Sequence, residues 1–358
     1  MNTATGPIPV RFPIPGQVDG LAGIGEPLCL SGIAFLPPTE ALRSAPPVIL
    51  LRPGGSYTVD YWHLEVPGYS DDDYSCALYL AQQGFIVVAT DHLGTGGSSK
   101  PQDGGILTPA MVAQANVKVA ASIRTALRRR TFHTFAATEV GSHALESLPS
   151  VSEAQLAAFG HSLGAMLLTL EAGQYSAYEA VGLLGWSNHQ LAPPGVDLAS
   201  MMAEVRVENG YVTANRRSLR PLFYLDDIPE AVIEADEARA TVTPWSVGYA
   251  AIEHPAVVAQ HAGRIDVPVL HVLGQYDVSG PGNALEELAV YQAARQAGVT
   301  FFELPGSAHC HCLATTRRQL WDYMARWTRL ALGAGGSSPG ADHRAHHPLA
   351  AARAFKEE

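Results

Sequence analysis

Short apolar runs bounded by chain breakers recur along the sequence, separated by stretches with helical periodicity. Pro46–Leu51 is one such run and stops at Arg52-Pro53-Gly54-Gly55; Phe85–Thr90 is another and ends at Asp91. Brief runs without polar alternation suit strands covered on both faces of a parallel sheet. Leu156–Phe159, Val181–Leu184, Val267–Leu273 and Thr300–Leu304 read the same way, with Leu28–Leu36 as a further strand. Helices are predicted over Asp73–Gln83, closed by Gly84, over Met111–Arg129, whose basic end suits the helix dipole, and over Leu163–Ala172, 284–297 and 315–332. Strand and helix therefore alternate, which predicts an α/β fold with a mostly parallel, doubly wound sheet.

Residues 186–263 break that rhythm. They carry helical patches (Leu198–Val207, Ile228–Ala240), many acids, and the aromatics Tyr211, Phe223, Tyr224, Trp245 and Tyr249, with no clear buried strand. A stretch this long between two core strands is expected to have structure of its own, so it is read as an inserted helical cap. The resulting division is a Pro- and Gly-rich lead-in over 1–27, a core over 28–185 and 264–332, the cap over 186–263, and a flexible tail over 333–358. A smaller excursion, Thr131–Ser152, shows no readable pattern. His343, His346 and His347 fall in the tail and are read as disordered chain, not as a metal site.

Composition narrows the class. Hydrophobic residues make up 47% of the 358, which is a folded composition, and the net charge of −11 disfavours nucleic acid and anionic membranes as partners. Cys29, Cys76, Cys310 and Cys312 do not make a disulfide scaffold; they are read as reduced thiols. The thiols set the expected location as cytoplasmic, and no secretory leader and no apolar stretch of membrane-spanning length is visible. Oligomeric state is not legible.

The candidate chemistry begins at Gly160-His161-Ser162-Leu163-Gly164. A Gly-x-Ser-x-Gly match is weak alone, but here it forms the turn between a predicted strand and a predicted helix. In such an elbow the glycines relieve crowding, the serine hydroxyl projects above the sheet, and the helix N-terminus favours a developing oxyanion. Partners follow in the order nucleophile, acid, histidine: Asp277 just after the Val267–Leu273 strand, and His309 after Thr300–Leu304. His309 would take the serine proton and Asp277 would orient the imidazole.

His311 is a rival base; His309 is preferred because it comes first after the Gly306 turn. A metal reading of His309-Cys310-His311-Cys312 is disfavoured, since four donors so close in sequence cannot wrap one ion tetrahedrally. No cofactor is expected. Backbone N–H groups of Leu163 and of Gly55, with Ser56 as the alternative, are the candidate oxyanion donors.

These pieces, with Asp91-His92-Leu93-Gly94-Thr95-Gly96-Gly97-Ser98, resemble the α/β-hydrolase superfamily from about Leu28 to Leu332, in particular its capped esterases and lactonases. The resemblance implies that the Asp91–Ser98 run is a tight structural loop with no catalytic part. Pro53 departs from the pattern, standing where many relatives have His before Gly; oxyanion geometry depends on the backbone there. Serine at the elbow separates the chain from haloalkane dehalogenases and epoxide hydrolases, which place Asp at that position. The expected activity is hydrolysis of a small or medium, partly hydrophobic carboxylic ester, with lactone, amide, thioester or C–C cleavage as alternatives. A receptor-like relative with little turnover is the non-enzymatic alternative. Tyr57, Tyr61 and Trp62, after the oxyanion strand, are candidates for lining the pocket or for packing.

Overall fold

The computed structural model describes residues 4–21, 27–42, 46–149, 151, 154–189, 206–253, 255–279 and 284–333. Its centre is an eight-stranded sheet built from β1 (Ile8–Pro13), β2 (Cys29–Phe35), β3 (Val48–Arg52), β4 (Ile86–Thr90), β5 (Leu156–His161), β6 (Ala180–Leu184), β10 (Val269–Gly274) and β11 (Val299–Leu304). The spatial order is β1-β2-β4-β3-β5-β6-β10-β11. The strands from β4 to β11 are parallel, and β1 and β2 add an antiparallel edge. The parallel strands are apolar because both faces are covered. In β3, Val48 and Leu50 enter one core while Ile49 and Leu51 enter the other. Helices α3 (Pro109–Arg129), α5 (Leu163–Gln174) and α9 (Pro255–Ala262) cover the first face. Helices α2 (Cys76–Gln82) and α11 (Arg317–Ala331) cover the second.

Several expectations need correction. The lead-in is more than a Pro- and Gly-rich approach to the core: Ile8–Pro13 pairs with β2 and alternates buried and exposed residues, as an edge strand does. Its two prolines are tolerable because an edge strand has one row of backbone groups outside the ladder. The helix predicted over 284–297 ends at Val290 as α10 (Ala284–Val290), followed by a separate 3₁₀ turn at Ala293–Arg295. The unreadable excursion holds a 3₁₀ turn, Phe132–Phe135, and α4 (Glu139–Glu146), capped by the Thr138 hydroxyl. A short α1 (Thr39–Leu42) precedes β3.

Between β6 and β10 the described residues contain helices, and also strands that had no sequence signature. Short β7 (Arg206–Glu208), β8 (Tyr211–Thr213) and β9 (Thr243–Pro244) form a small antiparallel sheet. Helices α6 (Arg220–Phe223), α7 (Glu230–Glu237) and α8 (Trp245–Glu253) accompany it. The helix predicted over Leu198–Val207 lies mostly outside the described residues, and its last two positions are strand. The tail histidines also lie outside them.

Candidate active site

Register sets the site. Arg52 pairs with Gly160, His161 with Leu184 and Gly274 with Leu304, so the C-terminal ends of β3, β5, β6, β10 and β11 lie side by side. Open parallel sheets bind ligands at this edge.

Ser162 joins β5 directly to α5 with φ 54° and ψ −120°, a positive φ that a side-chain-bearing residue rarely adopts. The turn is sharp enough that a Cβ on Gly160 would lie 2.3 Å from the Gly164 carbonyl oxygen, and one on Gly164 2.4 Å from that of Pro53. Both glycines are therefore required by close backbone approach. The Ser162 N–H donates to Leu184 C=O at 2.7 Å, holding the turn on the neighbouring strand.

Asp277 and His309 arrive from the next loops and meet. The His309 Nδ1–H donates to Asp277 Oδ1 at 2.7 Å, which in the neutral imidazole leaves Nε2 as a proton acceptor. Asp277 is buried, yet its carboxyl is held well below the usual range. Desolvation pushes it up, but the charges and hydrogen bonds of His309 and His311 outweigh that. Ser162 and His309 both line a cavity of about 190 Å³. The rest of its wall is mainly apolar: Trp186, Val212, Leu219, Leu222, Phe223, Trp245, Ile252 and Val278, with Gly55 and Leu163 beside the serine. Ser56, Asn215, Ser218 and Thr243 supply its polar edge, and no charged side chain occurs among the described lining residues.

His311 does not line this cavity. It sits behind, fully buried, and its Nε2–H donates to Asp277 Oδ2 at 2.6 Å. The geometry thus separates the two histidines that the sequence left as rivals. Cys310 faces Tyr57 OH at 2.9 Å, and the described residues hold no cluster of His, Cys, Asp and Glu suited to a metal.

Ser56 has φ 62°, and its N–H donates to the Thr243 hydroxyl at 2.8 Å, so that group is already occupied. The preceding loop is fixed from beneath. His92 Nε2–H donates to Pro53 C=O at 2.9 Å, while its Nδ1 accepts from the Asn116 amide at 3.1 Å. The same amide donates to buried Glu171 at 2.6 Å, linking the loop to α5. His92 thus lies in the predicted structural loop yet also braces Pro53. Asp91, beside it, accepts from Val59 N–H and Gly97 N–H, as a structural loop requires.

Burial lowers His92 to about 4, so the fold favours its neutral form. The stability this contributes is complete above the unfolded value near 6.5 and is lost as pH falls toward 4, up to about 3 kcal/mol. His63, His161 and His271 shift the same way by burial. Asp91, raised to about 6 by desolvation, works against them between about pH 4 and 6. Thermal melting is therefore expected to drop on acidification through this window, and less steeply in His92→Gln. A variant curve parallel to wild type would remove His92 as a contributor.

The sequence left Tyr57, Tyr61 and Trp62 as candidates for lining the pocket or for packing, and gave no role to His161 or Arg216. Tyr57, Tyr61 and Trp62 are buried packing residues and do not line the cavity; Tyr61 stacks on His161 with centroids 4.4 Å apart. His161 Nε2–H donates to the His309 carbonyl at 2.8 Å, which steadies the histidine loop. The insert grips both site loops. Arg216, paired with buried Asp236, lies over Tyr57, and Phe223 packs 5.3 Å from the His309 ring. Backbone bonds add Thr241 N–H to Ser56 C=O and Cys310 N–H to Phe223 C=O. No sequence signal marks these contacts, because each partner is remote along the chain. The turn of Asp277 onto the N–H of Ser279, at 3.0 Å, was readable as an Asx turn.

A family model described as serine aminopeptidase, S33 matches residues 73–313, well over half the chain. Among solved structures, a thermostable carboxyl esterase from Bacillus coagulans is similar at 13% identity and TM-score 0.59, with 90% of this chain and 99% of that one covered. A bromoperoxidase from Bacillus anthracis is similar at 13% identity and TM-score 0.57, covering 90% and 99%. An enol-lactonase from Burkholderia xenovorans is similar at 16% identity and TM-score 0.54, covering 86% and 97%. Comparison with curated protein sequences finds no match. Among the described residues, no helix is long and apolar enough to cross a membrane.

Proposed function

The chain belongs to the serine aminopeptidase (S33) family of α/β hydrolases, and from that premise we propose that it hydrolyses a small or medium, neutral, partly hydrophobic carboxylic ester. The observation that carries this reading is the cavity wall: Ser162 and His309 open onto an apolar chamber without a charged side chain among the described residues. An aminopeptidase must hold a substrate ammonium, which in an apolar site calls for a carboxylate partner. An uncharged acyl group needs only apolar burial and donors for its carbonyl.

In this mechanism His309 Nε2 takes the Ser162 proton as the oxygen attacks the ester carbonyl. Asp277 holds the imidazole in the Nδ1–H tautomer and stabilises the imidazolium. The N–H groups of Leu163 and Gly55 receive the oxyanion; the engagement of Ser56 N–H with Thr243 supports Gly55 over Ser56. His309 then protonates the leaving alcohol, and water releases the acid by the same route. The described residues between Trp186 and Gly263 that line the chamber act as its cap and carry its specificity. The four free thiols fit a reducing, cytoplasmic setting.

A panel of neutral p-nitrophenyl esters, lactones and aminoacyl p-nitroanilides tests the reading. The expected result is turnover of short and medium acyl esters at least about a hundredfold above the aminoacyl substrates, from the cost of burying an unpaired ammonium. Preferential release of N-terminal amino acids would overturn it, and preference for lactones would redirect it to the ring-opening reaction of the same site.

A further inference from the structure

The Asp277 carboxylate receives four hydrogen bonds, two on each oxygen. Oδ1 accepts from His309 Nδ1–H at 2.7 Å and Ser279 N–H at 3.0 Å. Oδ2 accepts from His311 Nε2–H at 2.6 Å and Gly274 N–H at 3.1 Å. Two histidines two residues apart reach one carboxylate because the chain turns between them. Cys310 has φ −83° and ψ 71°, the inverse γ-turn conformation, and the His311 N–H closes the turn on His309 C=O at 3.0 Å. The Cys312 N–H, donating to Tyr61 OH at 3.4 Å, ties the turn from behind.

On the mechanism proposed above, only His309 exchanges a proton with Ser162, which leaves the second imidazole without a catalytic task. We propose that His311 is a positioning residue: it clamps Oδ2 so that Asp277 holds one orientation, and it draws off part of the charge that the carboxylate offers to His309. A carboxyl group rotates easily about its terminal torsion, and Gly274 N–H alone is a weaker restraint on Oδ2 than a short imidazole bond. The charge effect follows from sharing. A carboxylate with a strong donor on its far oxygen stabilises an imidazolium on its near oxygen less.

The other groups facing this pair are not expected to titrate with it. The His161 ring lies 4.7 Å from that of His309 and 5.4 Å from that of His311, and burial and both neighbours keep it neutral. Burial raises Cys310, Tyr57 and Tyr61, and it lowers His271, which also faces Asp277. Asp236 and Arg216, behind Tyr57, are paired with each other.

The test compares His311→Gln, whose amide nitrogen reaches about as far as Nε2, with His311→Asn, which keeps the polarity but falls short of Asp277. Steady-state kinetics on the best p-nitrophenyl ester across the pH range are measured beside wild type and Ser162→Ala, with thermal melts for each. In His311→Asn, kcat is expected to fall about tenfold or more with KM little changed, because the base is less well oriented. The acid limb of kcat/KM is expected to move to higher pH. His311→Gln is expected to restore both to within a few fold of wild type. An unmoved acid limb in a folded His311→Asn, or equal defects in both variants, would overturn the assignment of His311 while loss of activity in Ser162→Ala still upheld the catalytic reading. Activity retained in Ser162→Ala would overturn both.

Discussion

Replacing Ser162 with alanine is expected to lower ester hydrolysis on the order of 10⁴- to 10⁶-fold and to eliminate labelling by a fluorophosphonate. The loss should be confined to chemistry. Ser162 is held by its backbone, through its N–H to Leu184 C=O, and by a φ of 54° that alanine must adopt at the same cost. The glycines at 160 and 164 that permit the turn are untouched. The melting temperature should therefore stay close to that of wild type. Equal expression and melting with lost labelling and turnover would place the nucleophile at Ser162. A folded variant retaining activity within tenfold of wild type would remove Ser162 from that role.

Asp277→Asn is expected to reduce kcat on the order of 10³- to 10⁴-fold and also to destabilise the fold, so it differs from Ser162→Ala in kind. Four N–H donors converge on the two carboxylate oxygens. An asparagine offers one oxygen and one NH₂, so on one side two donors would confront an NH₂. If the oxygen faces His311, His309 must change tautomer to find a partner, and its Nε2 becomes protonated and unable to accept from Ser162. If the oxygen faces His309, His311 and Gly274 N–H lose theirs. Each buried donor left unpaired costs roughly 1–3 kcal/mol, which should appear as a lower melting temperature. Steady-state kinetics and thermal melts on the same preparation check both effects. A kcat within tenfold of wild type would show that the carboxylate is not part of the catalytic set.

Gly160-His161-Ser162-Leu163-Gly164 was legible as an elbow because strand, turn and helix are local properties of chain pattern. The parallel strands were legible because both their faces are buried, which leaves continuous apolar runs in the sequence; the observed strands differ by a residue or two at their ends. β1 was not legible, since its buried and exposed positions alternate within a Pro- and Gly-rich segment and its partner is β2. The small sheet of the insert was hidden for a related reason. β9 has only Thr243 and Pro244, and pairing with β8 makes it a strand.

The contrast is sharpest at the site. The elbow motif, strand placement and chain order together pointed to Ser162, Asp277 and His309, each following its own strand at one edge of the sheet. The sequence preferred His309 to His311, two residues apart, and Gly55 to Ser56, next to each other, on loop position only. Tertiary structure separated the histidines, placing one at the cavity wall and the other behind Asp277. It also occupied the Ser56 N–H with a hydroxyl 187 residues away in sequence. Local pattern determines which segments become strands, helices and tight turns, because those depend on neighbouring residues and on burial of whole faces. Which donor meets which acceptor is decided by side chains that approach only once the sheet has closed, and no spacing along the chain encodes that distance.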